Sequence, residues 1–186
     1  EVIKAPHIYI EAFETYPRQT YRNRCRIVTA NGVLALSIPV HKVHGKQTIT
    51  KDIRINYREP WQRNHRRTID AAYSNSPFYL YYIDELMPFY EKTFKYLLDF
   101  NLELTNQLIE LLGFNATLNL TKAYIHQPNN ILDLRHAFSP KNKAPIQKST
   151  PYFQVFEERH GFIADLSILD LLFNEGPGAG SYLNKE

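Results

Sequence analysis

Residues 20–40 read TYRNRCRIVTANGVLALSIPV, and this stretch decides how the first part of the chain folds. Residues 20–30 have a loose β pattern, and residues 33–40 are mostly apolar. Two such runs on either side of Asn31-Gly32 form the strongest local hairpin signal in the sequence. The stretch therefore predicts an antiparallel β-hairpin that turns at Asn31 and Gly32.

Further segments extend this β start into a protein of both strands and helices. β-Branched and aromatic residues predict short strands at residues 7–11, 48–56 and 117–125. Proline boundaries and apolar spacing predict helices at residues 60–73, 78–87, 89–112, 153–160 and 166–173. Strands come mostly early, and helices come centrally and late. This order favours the α/β class, with a mixed β-sheet flanked by helices in a single domain, and α+β is the alternative.

Glycine and proline mark where regular structure ends. Gly113 is expected to stop the long helix at its C-terminus. Residues 42–47 and 139–151 are polar or rich in proline and predict exposed loops. The glycine cluster at residues 176–180 is expected to end regular structure before a mobile tail. Because this cluster follows a helix instead of opening one, it does not indicate a phosphate loop.

The composition is that of a globular protein with one core. The 186 residues are 44% hydrophobic and 22% charged, which suits a single domain over residues 1–186. No apolar run approaches the ~20 residues of a membrane-spanning helix, so we expect no stable membrane insertion. The single cysteine, Cys25, cannot form an internal disulfide. That fits the reducing cytoplasm, where we expect the protein to reside.

Charge is unevenly distributed along the chain. Residues 1–70 hold 13 Lys and Arg against 6 Asp and Glu, a net charge of +7. Residues 71–186 hold 9 against 13, a net charge of −4. A basic first part attracts an anionic ligand, but a solvated basic face explains the same charge. A nucleic-acid partner is not expected, because the second part is acidic and no nucleic-acid-binding module is recognisable.

The run Tyr21-Arg22-Asn23-Arg24 concentrates donors that a hydrophobic core does not need. Arginine presents five fixed N–H donors and keeps its charge, so two nearby arginines suit a carboxylate or phosphate. We therefore predict that these four residues bind substrate, either an anionic small molecule or a sugar. The alternative is that Arg22 and Arg24 lie on one face of a strand and pair with acidic neighbours.

His65 and Asp170 are the candidate catalytic residues. His65 shares a helix face with apolar neighbours, where a partly buried imidazole can act as a general base. A core histidine bonded to a backbone carbonyl is the alternative. Asp170 sits in an apolar helix, where a carboxylate is costly to bury unless it is paired. If it points inward, Arg22, Arg24 or His65 are its expected partners; otherwise it is a structural or solvated carboxylate.

Aromatic residues complete the predicted substrate site. Their rings can stack on a sugar and donate a hydrogen bond. The candidates are Trp61, Tyr73, Tyr79 and Tyr82. Aromatic packing between helices is the alternative for the tyrosines. We expect no metal and no cofactor, because His41 and His44 have no further ligands at suitable spacing and no dinucleotide fingerprint is present.

The order and spacing of several motifs resemble the WbqC-like protein family. These motifs are Tyr21-Arg22-Asn23-Arg24 before a hairpin, the helix start from Trp61 to His65, the aromatic run at residues 76–82 and the segment at residues 166–174. Members of that family carry a short strand and a Pro- and Tyr-containing segment ahead of the position of Glu1. We therefore expect residues 1–186 to form a single WbqC-like domain without that leading segment.

The resemblance implies a role in bacterial O-antigen or other surface-polysaccharide biosynthesis, since family members occur in such gene clusters. A glycine-transferase role has been suggested for one of them. Whether the chain is an enzyme stays open; a transferase would move a small acyl or aminoacyl group to a sugar. In that version Arg22 and Arg24 hold the donor or a sugar phosphate, His65 manages the proton, and Asn23 and tyrosines position the acceptor. The alternative is a non-catalytic protein that binds an anionic glycan or nucleotide.

Overall fold

Strands lie mostly in the first part of the chain, and helices follow. The computed structural model describes residues 5–17, 20–41, 48–138 and 150–185. The strands are β1 (His7–Ile10), β2 (Arg24–Thr29), β3 (Gly32–Ser37) and β4 (Thr117–Leu120). The helices are α1 (Trp61–Tyr73), α2 (Tyr79–Leu86), α3 (Pro88–Glu91), α4 (Leu97–Leu111), α5 (Glu157–His160), α6 (Ile168–Glu175) and α7 (Gly178–Lys185), with a 3-10 helix at Thr50–Asp52. The loop predicted at residues 42–47, with His44, and residues 139–149 of the loop predicted at residues 139–151 lie outside the described residues.

β2 and β3 form the predicted antiparallel hairpin, with Thr29 opposite Gly32. The turn residues are Ala30 and Asn31, and Gly32 opens β3 with a φ of +101°. The Thr29 hydroxyl accepts from the Asn31 amide at 3.2 Å and donates to the Gly32 carbonyl at 2.9 Å. The hairpin prediction is confirmed, but its turn lies one position earlier, because the glycine supplies the positive φ that follows the turn.

β1 pairs with β4 in parallel, with Ile8 opposite Leu118 and Ile10 opposite Leu120. Parallel and antiparallel pairs are thus both present together with helices, which confirms the predicted class at the level of α/β or α+β. Within the described residues the two pairings form separate two-stranded sheets. The single-domain organisation stays a prediction.

One predicted strand and part of one predicted helix were wrong for a shared reason. Residues 48–56 hold a 3-10 turn and isolated bridges where a strand was expected. The helix predicted over residues 89–112 is interrupted between α3 and α4, where Arg54 forms a β-bridge with Tyr96. Pairing between these two segments overrides the helical pattern of the second, since tertiary contacts routinely outweigh local propensity.

Helix α1 runs over the predicted residues and buries the predicted face. Trp61, His65, Ile69 and Ala72 recur every three to four positions and are all buried. Ile69 and Ala72 join a core cluster with side chains of β2, β3, α2 and α6. Trp61 joins a second cluster with side chains of α3 and α4. Helix α1 therefore connects the two cores.

The described tail after α6 is a helix, so the predicted end of regular structure was wrong. Gly176 ends α6 with a φ of +54°, and a Cβ at this position would overlap the ring of Phe78. Helix α7 then starts at Gly178, and a Cβ on Gly180 would overlap the carbonyl oxygen of Leu112. The glycine cluster therefore leads into a helix. Its glycines allow neighbouring residues to pack more closely than a Cβ would permit.

Candidate functional site

A cleft of about 980 Å³ lies between the β1–β4 sheet, helix α4 and residues 121–138. Ile8, Ile10, Leu118 and Leu120 line it from the sheet. The register of the parallel pair places these four side chains on one face, because side chains alternate along a strand. The volume is at the upper end of the range for small-molecule sites.

Helix α4 forms a second wall of the cleft. Leu98, Leu102 and Thr105 follow one another at helical spacing, and Leu97 and Asn101 form the neighbouring row. Leu97 also packs into the second core cluster. The helix is therefore fixed by the core and presents a largely apolar face to the cleft.

Arg22 and Glu14 form an ion pair in the cleft wall. The Nη2 of Arg22 lies 2.6 Å from Glu14 Oε1, and its Nε donates to the same oxygen at 2.7 Å. The Thr50 hydroxyl donates to that oxygen at 3.5 Å, and Asn101 of α4 donates to the Arg22 carbonyl at 2.8 Å. Arg22 thus has the acidic neighbour that the sequence offered as an alternative, and it still lines the cleft.

Arg135 joins a second buried acid, Glu11, to this pair. Its guanidinium lies 3.6 Å from Glu11 Oε2 and 2.6 Å from Asp133, and its carbonyl accepts from Arg22 at 3.4 Å. Glu11 also accepts from the Thr121 hydroxyl at 2.9 Å. Hydrogen bonds from Arg135 lower the pKa of Asp133 to about 2. These five charged residues of the cleft are therefore connected to one another.

We term Glu11, Glu14, Arg22, Asp133 and Arg135 the polar cluster. With Lys122 added, three acidic and three basic side chains line the cleft, so these charges balance. Such a wall offers donors and acceptors side by side, which suits hydroxyl groups, because each hydroxyl both donates and accepts. Tyr21, which is exposed, lines the same cleft.

The cleft lies within a part of the chain that matches a known family. The sequence model of the WbqC-like protein family matches residues 4–142. The chain belongs to this family. Every residue that lines the cleft of this WbqC-like protein falls between Ala5 and Phe138, inside the match, whereas Asp170 falls outside it. No curated protein and no solved structure matches the chain.

Two of the predicted site residues of this WbqC-like protein, Tyr21 and Arg22, line the cleft. The others do not, and they lie in the hairpin or in the cores. These are Asn23, Arg24, Trp61, His65, Tyr73, Tyr79, Tyr82 and Asp170. Asn23 donates to the Ile38 carbonyl at 3.0 Å and so holds the base of the hairpin. The structure thus brings together only the first half of the Tyr-Arg-Asn-Arg run.

His65 lies in the core near the start of α1. Its Nε2 is 3.1 Å from the Ser37 carbonyl oxygen, and its ring meets those of Trp61 and Tyr90 edge-on at 5.1 and 6.2 Å. Burial lowers the pKa of His65, so the ring is neutral at neutral pH. This geometry agrees with the alternative of a core histidine bonded to a backbone carbonyl, and proton transfer by His65 stays a prediction.

Asp170 is fully buried, and its partners are neutral. Its Oδ2 accepts from the Tyr152 hydroxyl at 2.7 Å and from Gln154 Nε2 at 2.9 Å. The Tyr73 hydroxyl adjoins the same carboxylate. Burial raises the pKa of Asp170, and the hydrogen bonds from these partners only partly oppose that effect.

The expectation that Asp170 pairs with Arg22, Arg24 or His65 was wrong. Among the described residues the hydrogen-bond donors to its carboxylate are Tyr152 and Gln154. Arg22 pairs with Glu14. Burial raises the pKa of Tyr16, and the positive charge of the nearby Arg24 partly opposes this rise. The reason is topological. Helix α6, which carries Asp170, packs against α2, α7 and β2, whereas Arg22 lies in the wall of the cleft.

The remaining predicted aromatic residues pack between elements. Tyr73 and Tyr79 each place their ring centre 5.2 Å from that of Phe173. Tyr82 packs against the first core cluster and Trp61 belongs to the second. Aromatic packing between helices, the alternative stated from the sequence, agrees with these contacts.

Sequence reasoning missed most of the polar cluster. Glu11 directly follows β1, Glu14 lies four positions after its end, and Asp133 and Arg135 stand two positions apart in a loop. The short spacing of Asp133 and Arg135 was the only feature of the sequence that could have indicated this cluster. Nothing in the sequence shows that segments separated by 110 residues, as Glu11 and Thr121 are, come into contact.

Two kinds of site were also sought across the described ranges. There, no group of three or more His, Cys, Asp or Glu side chains is placed to hold a metal ion. None of the described helices has the length and apolar character needed to cross a membrane.

Proposed function

We propose that this WbqC-like protein binds a sugar in the cleft and transfers a small acyl or aminoacyl group to it. The observation that carries this proposal is that the polar cluster, whose charges balance when Lys122 is added, lies in one cleft with the exposed Tyr21. Sugar hydroxyls need donors and acceptors together, and aromatic faces stack on sugar rings. The biosynthesis of O-antigen or another bacterial surface polysaccharide is the proposed context. The proposed location is the cytoplasm, which a single cysteine supports.

The transfer reaction needs a base beside the acceptor group. The sugar hydroxyl or amine attacks the acyl carbon, the leaving group of the donor departs, and the base takes the proton of the attacking group. Glu11, Glu14 and His7 line the cleft and are groups that can accept a proton. His65 and Asp170 do not line it, so the proposal gives them a role in the fold.

A non-catalytic protein that binds a glycan or nucleotide is the second candidate. The observation that favours it is that neither residue expected to catalyse lines the cleft. In both candidates we expect neutral sugars to bind better than anionic ones. An anion would have to compete with the acids that Arg22 and Arg135 already hold.

Binding is tested by calorimetric titration of neutral sugars, sugar phosphates and nucleotide sugars into the wild type and a Tyr21→Ala variant. Loss of a stacking ring weakens sugar binding by roughly tenfold. Tyr81→Ala is the matched control, because Tyr81 is 77% exposed, against 42% for Tyr21, and lies outside the cleft. An equal loss in both variants, or no binding of any sugar, would remove the cleft as a sugar site.

Catalysis is tested with the sugar that binds best. The protein is incubated with that sugar and with acyl and aminoacyl donors, and the sugar is analysed by mass spectrometry. A mass increase equal to the transferred group supports the transferase. Binding without any mass increase favours the second candidate.

A further inference from the structure

The polar cluster occupies only part of the cleft wall. Its members are linked by the Glu14–Arg22 pair, the Arg22–Arg135 hydrogen bond and the Arg135–Glu11 and Arg135–Asp133 pairs. Linked groups of this kind lie in one region. The sheet and α4 line the cleft mainly with leucine and isoleucine. The cleft therefore has a polar region and a larger apolar region.

Part of the apolar region is exposed to solvent. Ile125, Ile131, Leu132 and Phe138 line the cleft from the segment at residues 121–138, and each is more than half exposed. Scattered exposed apolar residues are ordinary on a protein surface, but four that border one cleft form a patch, and such patches mark binding sites. Contact with an apolar ligand would remove this surface from water, which is favourable.

We propose that the sugar ligand carries a single aliphatic chain and that the cleft binds both parts. The sugar lies at the polar cluster, and the chain lies along α4 and the exposed side chains of residues 121–138. The occupant is thus one glycolipid molecule. The match between its polar and apolar parts and the two regions of one continuous cleft argues for this ligand over a wholly polar one. This inference rests on the proposed function, because it assigns the sugar to the polar cluster.

The test uses n-alkyl β-glucosides with chains of one, four, six and eight carbons, titrated calorimetrically below their micelle concentrations. The dissociation constant is expected to fall by about two- to fourfold for each added methylene group that is buried. The heat capacity change of binding is expected to become more negative along the series, since apolar surface is being buried. Alkyl sulfobetaines of the same chain lengths show whether the sugar is needed.

A matched pair of variants locates the chain. Leu132→Gln is expected to reduce the gain in affinity with chain length by a larger factor than it reduces methyl glucoside binding. Leu80→Gln is the control, because Leu80 is 78% exposed, against 66% for Leu132, and lies on α2 outside the cleft. The control is expected to change neither quantity.

Each contrary outcome bears on a separate claim. Methyl glucoside binding without any gain from longer chains would overturn the glycolipid inference and leave the proposed function standing. Equal binding of glucosides and sulfobetaines would overturn the sugar proposal, and the glycolipid with it. A gain that survives Leu132→Gln, or that both variants reduce equally, would place the chain elsewhere and overturn the inference.

Discussion

Among single residues, Asp170 has the most demanding environment. It is fully buried, and its side chain accepts hydrogen bonds from Tyr152 and Gln154. Hydrogen bonds from neutral groups stabilise a carboxylate less than a cation does. This is why burial is the leading cause of its raised pKa.

We expect Asp170→Asn to remove a pH dependence of stability. The raised pKa means that the folded state holds the Asp170 proton more tightly than the unfolded state, whose pKa is about 3.9. The contribution of Asp170 to the free energy of unfolding therefore falls as pH rises from about 3.9 to the pKa of the folded state. Asparagine keeps an oxygen for Tyr152 and Gln154 and carries no charge. Urea unfolding of both proteins between about pH 4 and pH 8 measures the difference.

Asp170→Ala is the control for this prediction. It leaves Tyr152 and Gln154 without their acceptor, so we expect a loss of about 1–3 kcal/mol that the asparagine variant does not show. A wild type whose stability rises with pH relative to Asp170→Asn would contradict the raised pKa.

Burial of individual residues was predictable where one element decided it. The buried face of α1 follows from helical spacing alone. The polar cluster was not predictable, because its residues come from three separate segments. Spacing within one segment gives no information about which segments meet.

Among the elements, the hairpin and the long part of α4 could be predicted because their signals are local. Asn31-Gly32 marks the turn, and Gly113 follows the end of α4 with a φ of +71°. The break between α3 and α4 was missed because its cause is the bridge from Arg54 to Tyr96. Helix α7 was missed because glycine disfavours helices. Its low helix propensity is offset by close packing of Gly180 against Leu112, at the end of α4.

This close approach gives a prediction for α7. We expect Gly180→Ala to destabilise the protein by about 1–3 kcal/mol, because the added methyl group would overlap the carbonyl oxygen of Leu112. Gly178→Ala is the matched control, since the nearest atom to its Cβ would be Glu175 Oε2 at 3.7 Å, an ordinary contact. Urea denaturation midpoints of the three proteins check this. Equal effects of the two substitutions would contradict the docking of α7 on α4.

On the scale of the whole molecule, Arg22 connects segments that are far apart in the chain. It pairs with Glu14 after β1, donates to Arg135 beyond β4, and accepts from Asn101 of α4. We expect Arg22→Met to cost about 3 kcal/mol or more, because it leaves a buried carboxylate without its cation. Urea unfolding measures this cost.

A double variant separates pairing from packing. Arg22→Met combined with Glu14→Gln removes both charges, so part of the lost stability is expected to return. A double variant that is less stable than the sum of the single variants would contradict a stabilising pair.

The parallel pairing of β1 with β4 also has a consequence for synthesis of the protein. Glu11, at the end of β1, precedes its partner Thr121, at the end of β4, by 110 residues. At ribosomal rates that distance takes about 5–20 s to translate. Throughout this interval the backbone groups of β1 that later pair with β4 have no partner, and an unpaired strand edge can pair with other chains. During synthesis β1, which later forms part of the cleft wall, therefore stays unpaired for several seconds.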